Sequence, residues 1–261
     1  MNIEIHDKTK AESFCYIFQH AKVFADNINI TFNDTKLYVQ SMDSSHIVIF
    51  EIHLPREWFD VYEYNENAGD TIIGISSSIF SKVLNTRDKS QKIKIEFIQE
   101  ESDKIYVHHI GSNETTSLDK HFHLPLMDIE SEMLAIPEFE SDVTITIPSS
   151  SLSSIINQLN IFGDTMTFHC SGEGIRVVTE SPETGKMEVD IVDTPETSCV
   201  TSEDIDMKVS YALYKMHDIC SNTKLSKNAE VSISSCFPIR ITYDIAGDGK
   251  MLFYLAPKVD E

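Results

Sequence analysis

"NINITF-NDTK-LYVQSMD" (27–43) decides how this chain is read. Apolar and polar residues alternate in NINITF, a polar four-residue turn follows, and a second strand-like run leads away. Alternation at period two marks a half-buried strand, and Asn, Asp and Thr are turn residues. Ahead of it, Lys10–Phe24 carries Ala11, Phe14, Cys15, Phe18 and Ala21 at spacings of three and four, the stripe of an amphipathic helix. The same order recurs at "DTMTFHC-SGEG-IRVVTES" (164–181), behind a helical stripe over Ser150–Phe162 made by Leu152, Ile155, Ile156 and Leu159. Two more stripes, over Ser77–Asn85 (Ile79, Phe80, Val83, Leu84) and Tyr211–Cys220 (Ala212, Leu213, Met216, Cys220), also lead into strand-rich stretches. These include "KIKIEF" (92–97), "EVSIS" (230–234) and "PIRITYDI" (238–245), while "DVTITI" (142–147) precedes the third helix. The expectation is an α+β chain of two similar halves, each with two helices and antiparallel sheets.

The halves are expected at 1–124 and 142–261, joined by a linker at 125–141. The linker region holds six acids between Asp128 and Asp142, no base, and Pro125 and Pro137, so self-repulsion and proline favour an extended chain. It also holds Met127, Ile129, Met133, Leu134 and Ile136. Those side chains suit either a binding surface or anchors that fasten the linker to a sheet.

The totals narrow the function classes. With 21 basic and 42 acidic residues the formal charge is −21, which on average repels nucleic acid and anionic membranes. Any DNA contact needs the few bases gathered on one face. The five cysteines are scattered and form no CxxC, as expected of reduced thiols rather than zinc ligands. The first ten residues are charged and read as no signal peptide, and no apolar run reaches the ~18 residues of a membrane span.

"QSMDSSH" (40–46) invites an enzyme reading, since it puts Asp43, Ser44, Ser45 and His46 side by side. A serine hydrolase assembled from Asp43, Ser45 and His46 would need members adjacent in sequence, whereas working triads come from distant segments. No G-x-S-x-G elbow occurs, and the stretch reads as a sharp connection between strands. "HFH" (121–123) sets two histidines on one strand face with no third ligand to assign. "SGEG" (171–174) and "AGDGK" (246–250) lie between strands, so they are hairpin turns rather than phosphate loops. No catalytic residue, metal or cofactor is expected.

Three stretches carry a resemblance. "LYVQSMDSSHIVIFEIHL" (37–54), "LMDIESEMLAIPE" (126–138) and "YLAPKVDE" (254–261), in that order, resemble the eukaryotic DNA sliding clamps, the proliferating cell nuclear antigen family. "FDVYEY" (59–64) and "IFGDTMTFHCSGEGIRV" (161–177) fit between them, so the resemblance spans essentially the whole chain. It implies a closed, pseudo-sixfold homotrimeric ring around duplex DNA, a polymerase processivity factor with no catalysis of its own. The implied partners are a DNA polymerase, a clamp loader, nucleases, ligases and repair proteins. The implied place is the nucleus, or a viral replication site if a virus encodes the chain. A specialised checkpoint-type heterotrimeric clamp is the alternative in the same fold.

Residue by residue, the resemblance implies a DNA-facing set of Lys10, His20, Lys22, Lys82, Arg87, Lys215 and Lys224, with Lys89 and Lys227 nearby. The chain departs from the family at Cys15, Tyr16, Asn85, Ser154, Asn157, Tyr214 and Ser221, where the family carries Lys or Arg, and the third helix offers no base. A pocket for partner motifs, which present one aliphatic and two aromatic side chains on a helical turn, is implied at Met42, His46, Ile47, Leu134, Ile136, Pro137, Pro238, Tyr254, Leu255, Ala256 and Pro257. Ala135 replaces the family's linker glycine. Subunit contacts are implied along 116–124 and 182–190, through Leu118, Phe122, Leu159, Phe162, Lys186, Met187 and Val189. Gly172 stands where the family has its modifiable hairpin lysine, so that regulation is not expected.

Overall fold

The computed structural model describes residues 1–64, 69–98, 103–111, 118–130, 133–202 and 205–258. The first nine strands are β1 (Asn2–Ile5), β2 (Asn27–Phe32), β3 (Lys36–Met42), β4 (Val48–Pro55), β5 (Val61–Glu63), β6 (Thr71–Ser76), β7 (Lys92–Glu96), β8 (Lys104–Ile110) and β9 (Lys120–Pro125). Helix α1 (Lys8–Ala21) follows β1, and α2 (Ser77–Leu84) follows β6. The second nine are β10 (Val143–Pro148), β11 (Thr165–Ser171), β12 (Gly174–Ser181), β13 (Gly185–Ile191), β14 (Ser198–Thr201), β15 (Asp206–Ala212), β16 (Asn228–Ile233), β17 (Ile239–Ile245) and β18 (Gly249–Leu255). Helix α3 (Ser149–Leu159) follows β10, and α4 (Leu213–Cys220) follows β15.

The chain forms two compact units. One comprises Met1–Ser44, Phe50–Leu134 and Ile245–Met251; the other comprises Ser45–Ile49, Ala135–Asp244 and Leu252–Glu261. The acidic linker stretch is thus divided between Leu134 and Ala135.

Strand order shows the duplication. In the first unit the orders are β5-β1-β7-β8-β9 and β4-β3-β2-β6. In the second they are β14-β10-β16-β17-β18 and β13-β12-β11-β15. Adding nine to each strand of the first set gives the second, and the helices fall at the same points in the order. The pairings β1·β7, β2·β6, β10·β16 and β11·β15 are all antiparallel.

Each unit buries one face of its helix pair on its sheets. In the first, Phe14 and Phe18 of α1 meet Phe80 of α2, with ring centroids 4.8 Å apart for Phe14–Phe18 and for Phe18–Phe80. Trp58, fully buried, lies 6.1 Å from Phe14. In the second, Leu152 and Ile156 of α3 face Ile145, Met166, Phe168, Val177 and Val231. Burying each such side chain contributes about 1.5–3 kcal/mol.

The elements differ from the periodicity in a few places. Helix α1 starts earlier, because the Asp7 carboxylate accepts from the Lys10 N–H at 2.8 Å and caps it. It ends at Ala21, where Val23 N–H turns to the His20 carbonyl and Phe24 N–H to the Ala21 carbonyl, a tighter final turn. Tyr211 and Ala212 belong to β15 rather than α4, since they pair with Met166 and Thr165 of β11. Ile79 leaves the apolar stripe of α2 and is 46% exposed.

Candidate functional site

The solvent face of the helices is only weakly basic. The four helices hold Lys8, Lys10, Lys82 and Lys215 against Glu12 and Asp218, a net of +2 in a chain of −21. Helix α3 contributes serines, Asn157 and Gln158 there and no charge. Lys22, Lys82 and Lys224 are exposed. Lys215 is half-buried with its ammonium 5.2 Å from the Tyr214 ring centroid.

Three of the DNA-facing candidates are engaged within the first unit. His20 is 2% exposed, its ring edge-on to Phe24 at 5.4 Å, because the end of α1 turns that face into the core. Lys10 donates to the Trp58 carbonyl at 2.7 Å. Arg87 Nη1 donates to the carbonyls of Asp88, Lys89 and Gln91 at 3.3, 3.2 and 2.9 Å and holds the turn after α2. Lys89 is exposed beside Glu12 at 3.9 Å.

Both segments expected at subunit contacts contain sheet edges. β9 ends the five-stranded order of the first unit, and β13 ends the four-stranded order of the second. Thr116 and Ser117 lie outside the described residues. Leu118 is 80% exposed. On β9, Phe122 is half-buried 5.3 Å from the His109 ring, while His121 and His123 lie on the exposed face. His121 Nδ1 is 2.7 Å from His108 Nδ1, and the His123 ring packs edge-on to Tyr106. On β13 the alternation is regular: Met187 and Val189 are half-buried, and Lys186, Glu188 and Asp190 are exposed. Lys186 pairs with Glu188 at 2.7 Å, and Arg176 of β12 with Asp190 at 2.6 Å. Leu159 is fully buried in its own unit, because α3 turns it toward the sheet. Phe162 is half-buried, and its neighbour Ile161 is 67% exposed.

The stretch 40–46 is a backbone device. β3 ends at Met42, Ser44 and Ser45 turn, and His46 takes a left-handed φ of 59°. Such a φ is uncommon for a residue with a side chain. Asp43 is 3% exposed, while Ser45 and His46 are exposed. In the second unit, Ala256 N–H donates to the Ile47 carbonyl at 3.0 Å. Pro238, Ile136 and Ala256 are half-buried and Pro137 and Pro257 exposed. Tyr254 is 8% exposed, and Leu255 is fully buried, so Leu255 belongs to the core.

The linker is fastened at both ends. On the first unit, Met127 N–H donates to the Gly74 carbonyl at 2.8 Å and Asn29 Nδ2 to the Ile129 carbonyl at 2.9 Å. An added Cβ on Gly74 would lie 2.1 Å from the Met127 oxygen, so only glycine admits this approach. The Gln40 amide bonds both backbone groups of Leu134. On the second unit, Phe139 stacks on Phe237 at 4.8 Å and 10°, with the Arg240 guanidinium 5.1 Å from the Phe139 ring centroid. Yet Met127, Met133 and Leu134 remain 43%, 61% and 43% exposed. The linker is thus anchored by its backbone and by Phe139, while these apolar side chains stay exposed. Gln40, Phe139, Phe237 and Arg240 escaped the sequence reading because none stands out by periodicity or charge.

Family models account for nearly all of the chain. The N-terminal domain model of proliferating cell nuclear antigen matches residues 8–133, and the C-terminal domain model matches residues 135–258. The matches meet where the two units divide. Two duplicated α+β units, each matched by its own half of the family, leave one conclusion: the chain belongs to the proliferating cell nuclear antigen family of DNA sliding clamps.

Proposed function

We propose that this chain is the subunit of a homotrimeric clamp that encircles duplex DNA and tethers a polymerase. The observation that carries this reading is the pair of open edges. β9 on one unit and β13 on the other each end a sheet with no strand beyond them among the described residues. Open edges invite pairing with another chain. Joining β9 of one copy to β13 of the next is a heterologous contact, which closes into a ring when the rotation permits. A ring holds DNA by topology, so the weak net charge of the helices suffices, and Lys22, Lys82 and Lys224 supply phosphate contacts without sequence readout.

Partners are assigned to an apolar docking surface. His46, Ile47, Ile136, Pro137, Pro238, Ala256 and Pro257 offer it on the second unit. On the first unit, Met42 and Leu134 are proposed partner contacts in their own right. The fitting occupant is a short helical turn with one aliphatic and two aromatic anchors. Acids of the linker favour basic residues flanking that motif. The chain itself has no catalytic task in this reading, and it works where DNA is replicated, the nucleus or a viral replication site.

Light scattering across a concentration series tests the assembly. A mass of three chains is expected; a mass of one chain at every concentration overturns the homotrimer and favours a subunit of a heteromeric clamp.

A further inference from the structure

The first unit carries a polar cluster that none of these roles uses. Lys36, Tyr38 and Gln40 of β3 meet Glu51 and His53 of β4. Glu51 is 8% exposed. Its Oε1 accepts from the Tyr38 hydroxyl and, at 3.1 Å, from Gln40 Nε2; its Oε2 lies 3.3 Å from His53 Nε2. Lys36 Nζ lies 3.3 Å from His53 Nδ1 and 4.7 Å from the Tyr38 ring centroid. An ammonium only donates, so His53 Nδ1 is the acceptor and its proton sits on Nε2, toward Glu51. Burial by itself would raise the Glu51 pKa; the bonds from His53, Tyr38 and Gln40 together outweigh it and hold the carboxyl down at about 2.

The carboxylate decides which way Gln40 faces. A primary amide offers two N–H donors on one side and an acceptor oxygen on the other. One donor goes to Glu51 and the other to the Leu134 carbonyl at 2.9 Å, while Oε1 accepts from Leu134 N–H at 2.7 Å. A flipped amide would set its oxygen against the Glu51 carboxylate and the Leu134 carbonyl, and its NH2 against the Leu134 N–H. All three contacts would become repulsive. Ionised Glu51 therefore locks the orientation in which Gln40 satisfies both backbone groups of a residue 94 positions away in sequence.

We propose that Gln40 and Glu51 are positioning residues for partner docking: their strap holds the linker backbone at Leu134 in one extended alignment and presents its side chain to an incoming apolar, base-flanked motif. The proposal rests on the reading that Leu134 meets partner motifs. Its physical basis is preorganisation. An acidic segment repels itself, and ordering it at the moment of binding costs affinity.

The test uses the full-length chain and a synthetic peptide with one aliphatic and two aromatic residues in a helical turn, followed by lysines. Peptide affinity is read by fluorescence anisotropy, and linker exchange by hydrogen-deuterium mass spectrometry. Gln40→Ala and Glu51→Leu are expected to weaken the peptide about fivefold to tenfold. Both should speed exchange in fragments spanning Leu134, with little change over β1 and β7. Glu51→Gln keeps an acceptor and is expected to restore most of the affinity. If wild type binds the peptide and both variants bind equally well, the strap does not serve docking. If linker exchange is unchanged in both variants, the strap does not hold the linker. If wild type fails to bind the peptide, the docking reading itself falls and takes this proposal with it.

Discussion

The ammonium of Lys10 donates to the carbonyl of Trp58 at 2.7 Å and stands 5.7 Å from the centroid of its indole ring. Lys10, a DNA-facing candidate at the start of α1, is part of the packing around a fully buried tryptophan. Lys10→Met is expected to lower stability by about 1.5–3 kcal/mol, the range for a hydrogen bond to a charged group. It should leave duplex association nearly unchanged. Urea denaturation and anisotropy on a labelled duplex at low salt check the two halves of this statement.

Lys22 and Lys82, which are exposed, should behave in the opposite way. Neutralising either with Gln is expected to keep the denaturation midpoint and weaken duplex contact. Each lysine that touches a phosphate adds about 0.9 to the slope of log K against log salt. The variants should therefore flatten that slope by about this amount for each subunit engaged, and an unchanged slope would remove these lysines from the DNA face.

On the proposed docking surface, exposure separates affinity from folding. Ile136→Ser changes a half-buried residue and is expected to weaken the aliphatic–aromatic peptide at least tenfold with little loss of stability. Tyr254→Ala removes an aromatic that is 8% exposed, so it should cost stability as well, about 3 kcal/mol. Calorimetric peptide titration beside thermal unfolding reads the contrast.

Leu118 is 80% exposed beside the open edge of β9. Leu118→Asp should leave each subunit folded while placing a charge at the proposed contact. The expected result is a fall in solution mass from three chains to one, with the circular dichroism spectrum unchanged.

Glu51 ties stability to acid. Its folded pKa is about 2 against an ordinary 4.5, so its contribution is fully present above pH 4.5 and is lost as the pH falls toward 2. A tenfold change in proton affinity corresponds to about 1.4 kcal/mol, which makes the contribution about 3 kcal/mol. The stability gap between wild type and Glu51→Leu should therefore be wide at pH 6 and narrow below pH 3, read from denaturant midpoints at each pH. A gap that stays constant would show that the carboxylate does not titrate as described.

Much of the architecture could be read from period alone. NINITF is β2 residue for residue, and the four apolar stripes are the four helices. What period misses is competition at the ends. Ala212 fits the stripe of α4, yet its backbone is claimed by Thr165 across a strand ladder that no local window displays. Charge misleads in a similar way. Lys10, His20 and Arg87 look alike in sequence, but the first serves Trp58, the second is packed on Phe24 and the third caps a turn. The family words put Ile47 and Ala256 in one set, and the two meet through a hydrogen bond spanning more than two hundred residues. They did not reveal Gln40 and Glu51, whose significance depends on which groups lie opposite.

The 245–251 segment belongs to the unit that begins at Met1. At Gly247 and Gly249 its backbone lies so close to Trp58 that an added Cβ would approach the indole to 3.3 and 3.1 Å. The unit is thus closed by a piece of chain made more than a hundred residues after Leu134. A ribosome emits the sequence at about 5–20 residues per second, and N-terminal domains ordinarily fold first. Here the leading unit stays unfinished around its tryptophan until more than a hundred residues beyond Leu134 have been synthesised. Completion of its core is thereby coupled to synthesis of residues 135–244, which belong to the other unit.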